Sequence, residues 1–186
     1  MKKTSKIGLL FAAVWMLIKL VFHATLPTES TLKVSVFINI LLLLTAIAVG
    51  LFYHKKEEGF TEGNTLSDIK AAMTSGIPYT ILVSIFIYLY YNNINPDFNK
   101  LQISAAKKTI ELALNNPMEL AKIKTQNEAF EVMTKEKMYK ELVKGPENFY
   151  KASSTALISL LSLIMLSTVY SILVTIVYRK VLVRKI

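Results

Sequence analysis

Four apolar runs, nearly free of charge, divide this chain, and no other feature constrains its fold as much. They cover about residues 7–23, 34–53, 72–91 and 156–178, and three of them are about twenty residues long. A helix rises about 1.5 Å per residue, so such a run spans a hydrocarbon core of ~30 Å. The overall composition, 53% hydrophobic in 186 residues, is close to the roughly 45–50% of a soluble domain. The clustering therefore carries the argument. It predicts an all-α integral membrane protein with four transmembrane helices.

Each run has its own irregularities. The first follows Lys2, Lys3 and Lys6 and contains Lys19. A basic start before an apolar stretch also describes a secretory signal. However, Phe22-His23-Ala24 offers no A-x-A cleavage site, and Lys19 interrupts the run late, so a retained first helix is expected. Lys19 is expected in the outer half of that helix, its aliphatic stem running to the interface. An intramembrane charge on a pathway is the competing reading. Asn39 is the strongly polar group of the second run. A bond to a neighbouring helix, worth ~0.6–2 kcal/mol, is expected ahead of a ligand role. The third run holds Ser75-Gly76-Ile77-Pro78, where glycine permits close approach and proline removes a backbone donor. Tyr88, Tyr90 and Tyr91 at its end read as an aromatic belt at headgroup level. In the fourth run Ser167, Ser171 and Thr175 recur every four residues, a candidate helix–helix seam.

The connections are unequal. Leu26-Pro27-Thr28-Glu29-Ser30 is a short turn. His54–Lys70 contains the turn formers Gly59, Gly63 and Asn64. Thr65-Leu66-Ser67-Asp68 is an aspartate form of the capping box, predicting a helix from about Leu66. The third connection, about residues 92–152, is long and polar, and predicts a helical hairpin outside the bilayer. Its first helix covers Phe98–Asn115, with Ile103, Ala106, Ile110 and Leu114 on one face. Asn116-Pro117-Met118-Glu119 starts a second helix, which is expected to run to Lys144 and stop at Gly145-Pro146. On it Leu120, Ile123, Phe130, Met138 and Leu142 fall in a stripe of about 120°. Val132, Tyr139 and Val143 form a narrower one. One stripe can pack on the first helix and the other needs a cover. The candidate partner surface is therefore Phe130, Met138, Leu142, Val132 and Tyr139, facing a protein partner or a second copy.

The net charge of +9 fits lysines that flank membrane helices and meet anionic lipid, and no nucleic-acid partner is expected. Lys2, Lys3, Lys6, Lys55, Lys56, Lys70, Arg179, Lys180, Arg184 and Lys185 flank both termini and the second connection, whereas the first connection has only Lys33. The positive-inside rule then predicts N-in and C-in, with an extracytoplasmic insert. A cleaved first segment would place the second connection outside, against its lysines.

No catalytic chemistry is legible. The chain has no cysteine and two histidines, His23 and His54, in different regions. There is no phosphate loop, no H-E-x-x-H, no G-x-S-x-G and no paired acid within a span. No enzymatic activity, metal or cofactor is expected. The functional reading is an accessory or interaction protein. A small-solute or ion transporter or channel, built as an oligomer, is the alternative.

The order of segments also carries a resemblance. Gly59-Phe60-Thr61-Glu62-Gly63 precedes Leu66-Ser67-Asp68-Ile69-Lys70-Ala71 at the entry to the third run. Tyr90-Tyr91-Asn92 and Ile94-Asn95-Pro96-Asp97-Phe98 follow it, then a charged helical insert and a last run ending in basic residues. Over nearly the whole chain this resembles the bacterial four-span membrane-protein family catalogued as domain of unknown function 4199. The resemblance implies four spans in the inner membrane of Gram-negative bacteria, and it implies no activity and no catalytic residue.

Overall fold

A computed structural model describes residues 2–25, 28–60 and 64–181. Seven α-helices follow one another among them: α1 (Lys3–Thr25), α2 (Thr28–Glu57), α3 (Thr65–Leu89), α4 (Pro96–Asn115), α5 (Pro117–Gln126), α6 (Lys135–Phe149) and α7 (Ala152–Val181). Five residues wound as π-helix, Tyr90–Ile94, extend α3, and a 3₁₀ turn, Glu128–Phe130, lies between α5 and α6. No strand occurs among the described residues. Pro27, Gly63, Arg184 and Lys185, to which sequence expectations attach, lie outside them.

Four helical segments are long and apolar enough to cross a membrane: Lys3–Thr25, Lys33–Glu57, Thr65–Ile94 and Ala152–Val181. All extend past the apolar runs. The 30 residues of α7 amount to about 45 Å, close to a bilayer with its headgroup layers. The chain divides into two compact units, Met1–Phe86 with Leu157–Ile186, and Ile87–Ala156.

In the first unit the helices close around Ser75-Gly76. A Cβ on Gly8 of α1 would collide with the Ser75 carbonyl, and one on Gly50 of α2 with the Ser75 side chain. A Cβ on Gly76 would strike the Ser167 hydroxyl of α7. Three helices thus approach α3 at one level, which small residues allow where no hydrophobic force separates helix from lipid. Ala12, Leu43, Ala46, Ile47, Ala72, Tyr79 and Val83 are fully buried around this level. Leu10, Leu17, Phe37, Ile85 and Met165 are exposed and form the face that lipid would cover.

Two helix ends have local causes. Gly59 (φ 70°) and Phe60 (φ 58°) turn left-handed after α2. The Phe60 amide donates to the Lys55 carbonyl (2.8 Å) and the Gly59 amide to that of Lys56 (3.3 Å), the paired bonds of a Schellman end. Phe60 then sits 5.9 Å from the Phe52 ring. At the start of α3, Asn64 Oδ1 accepts the Leu66 amide (2.9 Å). Asp68, expected as the capping carboxylate, does not cap: its side chain is buried and committed to cations, as described below.

In the second unit α4 packs on α6, with Asn99, Leu114, Met138 and Val143 buried. The single long second helix expected here is two. Asn127 Oδ1 accepts the Ala129 amide (3.0 Å), and Thr134 Oγ1 accepts the Lys137 amide (3.4 Å). These side chains offer the backbone an alternative to the helix and cap the new start. At the other end α6 continues through Gly145-Pro146, and the Tyr150 amide donates to the Pro146 carbonyl (2.9 Å).

Candidate functional site

The sequence-selected residues fall in three places, and a fourth group was not selected at all. That group is ionic. Asp68, 1% exposed, is the centre. Lys55 Nζ lies 2.5 Å from its Oδ1 and Arg179 Nη1 lies 2.8 Å from its Oδ2. Lys55 also reaches Glu58 Oε2 at 3.1 Å, and Lys3 pairs with Glu57 at 2.8 Å. The first four side chains sum to zero charge. A buried carboxylate is tolerated only when paired and hydrogen-bonded on both oxygens, and α2 and α7 supply one cation each. The amino end of α1, the carboxyl end of α2, the amino end of α3 and the carboxyl end of α7 thus meet on one side. Lys55 and Arg179 were legible only as topogenic charges, and Asp68 only as a cap. The missed signal is that an even number of crossings places Asp68 among those cations.

Lys19 and Asn39 lie deeper. Lys19 is buried, and its ammonium donates to Ser35 Oγ (3.0 Å). It therefore turns inward to α2 instead of running along the helix to the interface. The geometry explains this: Trp15 Nε1, one turn earlier, donates to the Ser35 carbonyl (3.0 Å), so the two side chains grip one residue of α2. Asn39 is also buried, and the Tyr79 hydroxyl donates to its Oδ1 (2.6 Å), within 3.1 Å of its carbonyl. These bonds join α1 to α2 and α2 to α3. Ser167, Ser171 and Thr175 are fully buried on α7. Ser171 donates to the Ser167 carbonyl (2.7 Å), and Ser167 faces Gly76. Tyr90 and Tyr91 are buried, their rings edge to face at 5.0 Å, with Phe98 5.3 Å from Tyr91. Only Tyr88 keeps the exposure expected of a belt residue.

The candidate partner surface is not one surface. Met138 is fully buried, because α6 uses it to pack in the second unit. Phe130, Tyr139 and Leu142 are half-buried, and Val132 is 91% exposed. The turn before Thr134 separates Phe130 and Val132 from α6, so a helical period cannot connect them to Met138 and Leu142. Further exposed apolar side chains of this unit lie on α4 and α5. Leu101 and Leu112, eleven residues apart and so nearly on one line of α4, are 60% and 63% exposed, and Met118 at the start of α5 is 72% exposed.

The family model described as "Protein of unknown function (DUF4199)" matches residues 5–180. No curated protein and no solved structure matches the chain.

Proposed function

The chain belongs to the DUF4199 family of proteins of unknown function, and from that premise we propose a polytopic inner-membrane protein without catalytic activity of its own, an accessory or interaction protein. Its four helices hold the 92–152 insert on the extracytoplasmic side, where the insert docks a protein partner or a second copy. The observation that carries the reading is the exposure of Leu101 and Leu112 on α4, Met118 on α5 and Val132 beyond it, on a unit that contributes no complete span. Soluble surfaces scatter single apolar side chains, whereas large ones gathered on one unit are the feature that a partner covers.

The ionic end supports the proposed orientation. Lys2, Lys3, Lys6, Lys55, Lys56, Lys70, Arg179 and Lys180 belong to the helix ends that the Asp68 and Glu57 pairs bring together. Positive residues favour the cytoplasm, so both termini lie inside and the connection from α3 to α7 lies outside. For the transport alternative, Lys19 and Asn39 bond to neighbouring helices, which weakens two of its grounds and leaves Gly76, Pro78 and the Ser167, Ser171 and Thr175 row. Solute flux in proteoliposomes that vanished with Asn39→Leu would support that alternative.

Gentle detergent extraction at native expression level tests the docking reading. The complex recovered with the wild-type chain is expected to be larger than one protomer and to dissociate in Leu112→Glu/Met118→Glu. A lone protomer, or a complex indifferent to those charges, would contradict it.

A further inference from the structure

The second unit carries a groove of about 470 Å³ lined by Lys100, Ile103, Ser104, Lys107, Glu147 and Lys151, within the ~300–1,000 Å³ range of ligand sites. Three lysines, Lys100 and Lys107 of α4 and Lys151 between α6 and α7, converge there over one isoleucine and one hydroxyl. Two of them hold acids: Lys107 Nζ lies 2.6 Å from Glu147 Oε1, and Lys100 Nζ lies 2.9 Å from Asp97 Oδ1. Lys151 donates to the amide oxygen of Asn148 (2.8 Å). The Asp97–Lys100 pair is solvated on both sides, so it exchanges readily for a stronger anion. Glu147 holds Lys107 across the groove, and its hydrogen bond raises the affinity of that ammonium for its proton.

Position selects the anion. Lys151 immediately precedes Ala152, the first residue of α7, and Lys100 lies six residues beyond Ile94, where the third candidate span ends. Covalent geometry alone keeps Lys151 at the end of α7, and a helix of ~45 Å places that end in the headgroup layer when it spans. Phe149 and Tyr150 precede it, rings edge to face at 5.1 Å, with Phe149 55% exposed. Aromatic residues at a span end favour that same layer.

We propose that this groove binds the phosphate of an anionic phospholipid headgroup. Lys100, Lys107 and Lys151 hold the charge; the Ser104 hydroxyl donates to the Leu101 carbonyl (2.9 Å) and would serve the phosphate only by turning away from that carbonyl. Phe149, exposed just before the start of α7, would then meet the acyl boundary. The site is independent of the docking reading and of which leaflet the insert faces.

Native mass spectrometry of the delipidated full chain tests it, with added phosphatidylglycerol or phosphatidylcholine of identical acyl chains. Phosphatidylglycerol is expected to bind preferentially. Each lysine near an anionic surface changes affinity about five-fold, so Lys100→Gln/Lys151→Gln, which leaves the Lys107–Glu147 pair intact, is expected to bind ~25-fold more weakly. The control Lys122→Gln/Lys137→Gln, on the same unit away from the groove, is expected to be unchanged. Circular dichroism establishes that each variant keeps its helices. Equal binding of the two lipids would overturn the proposal, and so would a control that loses as much as the groove variant. Capture of a polyglutamate peptide in place of phosphatidylglycerol would reassign the groove to an acidic protein segment and overturn it as well.

Discussion

Replacing Asp68 by asparagine keeps the shape of the side chain and removes its charge. Lys55, 2% exposed, and Arg179 would then share a neutral amide. Removing one partner of a buried ion pair costs about 3–5 kcal/mol, because the remaining charge is uncompensated. Two observations place this case at the lower end. The Arg179 side chain is 27% exposed and can hydrate, and Lys55 keeps Glu58 at 3.1 Å. The expected loss is about 3 kcal/mol, or ~10²-fold in the folded-to-unfolded ratio. Reversible unfolding in mixed micelles by added dodecyl sulfate, followed by far-ultraviolet circular dichroism, reads it directly. The triple replacement Lys55→Met/Asp68→Leu/Arg179→Met removes every charge of the buried network except that of Glu58, and is expected to recover most of the loss. An Asp68→Asn protein within about 0.5 kcal/mol of wild type, the range of ordinary surface changes, would refute the claim that these charges hold the helix ends together.

Four further substitutions probe packing. Gly8→Ala places a Cβ against the Ser75 carbonyl and is expected to cost about 1–3 kcal/mol in the same assay, whereas Gly145→Ala in α6 meets nothing within 4 Å and is expected to stabilise by roughly 0.5–1 kcal/mol. Tyr79→Phe leaves Asn39 without its 2.6 Å donor and is expected to cost about 1 kcal/mol, the scale of interhelical bonds in lipid. Met138→Ala empties a fully buried position and is expected to destabilise the second unit by about 2–5 kcal/mol, seen as earlier proteolysis of the insert. A Met138→Ala insert as protease-resistant as wild type would show that the α4–α6 packing is misread.

The four candidate spans and the existence of a helical insert were legible because both depend on long-range composition. Twenty apolar residues between charges have few alternatives. What was not legible depends on pairing across distance in the chain. Asp68 looked like a cap because its nearest sequence neighbours suggested one. Its actual partners, Lys55 and Arg179, stand thirteen positions before it and 111 after it. Lys19 looked as though it reached outward, because sequence shows the length of its stem but not Trp15 and Ser35 gripping each other beside it. The single helical stripe behind the candidate partner surface is broken for a local reason. A helical wheel drawn from Leu120 to Leu142 assumes unbroken helix, and the caps at Asn127 and Thr134 break it. Those caps were readable as polar residues able to bond their own backbone, but each is a common residue whose effect depends on competing with a helix already running.

Sidedness of the insert relative to the termini decides the account most directly. The chain has no cysteine, so single introduced thiols report one site each. In spheroplasts of a bacterial host, Lys137→Cys on the exposed surface of α6 is expected to react with a membrane-impermeant maleimide in intact cells. Lys2→Cys and Lys56→Cys are expected to react only after permeabilisation. Labelling of all three positions from the same side would contradict four crossings with the insert displayed opposite the termini.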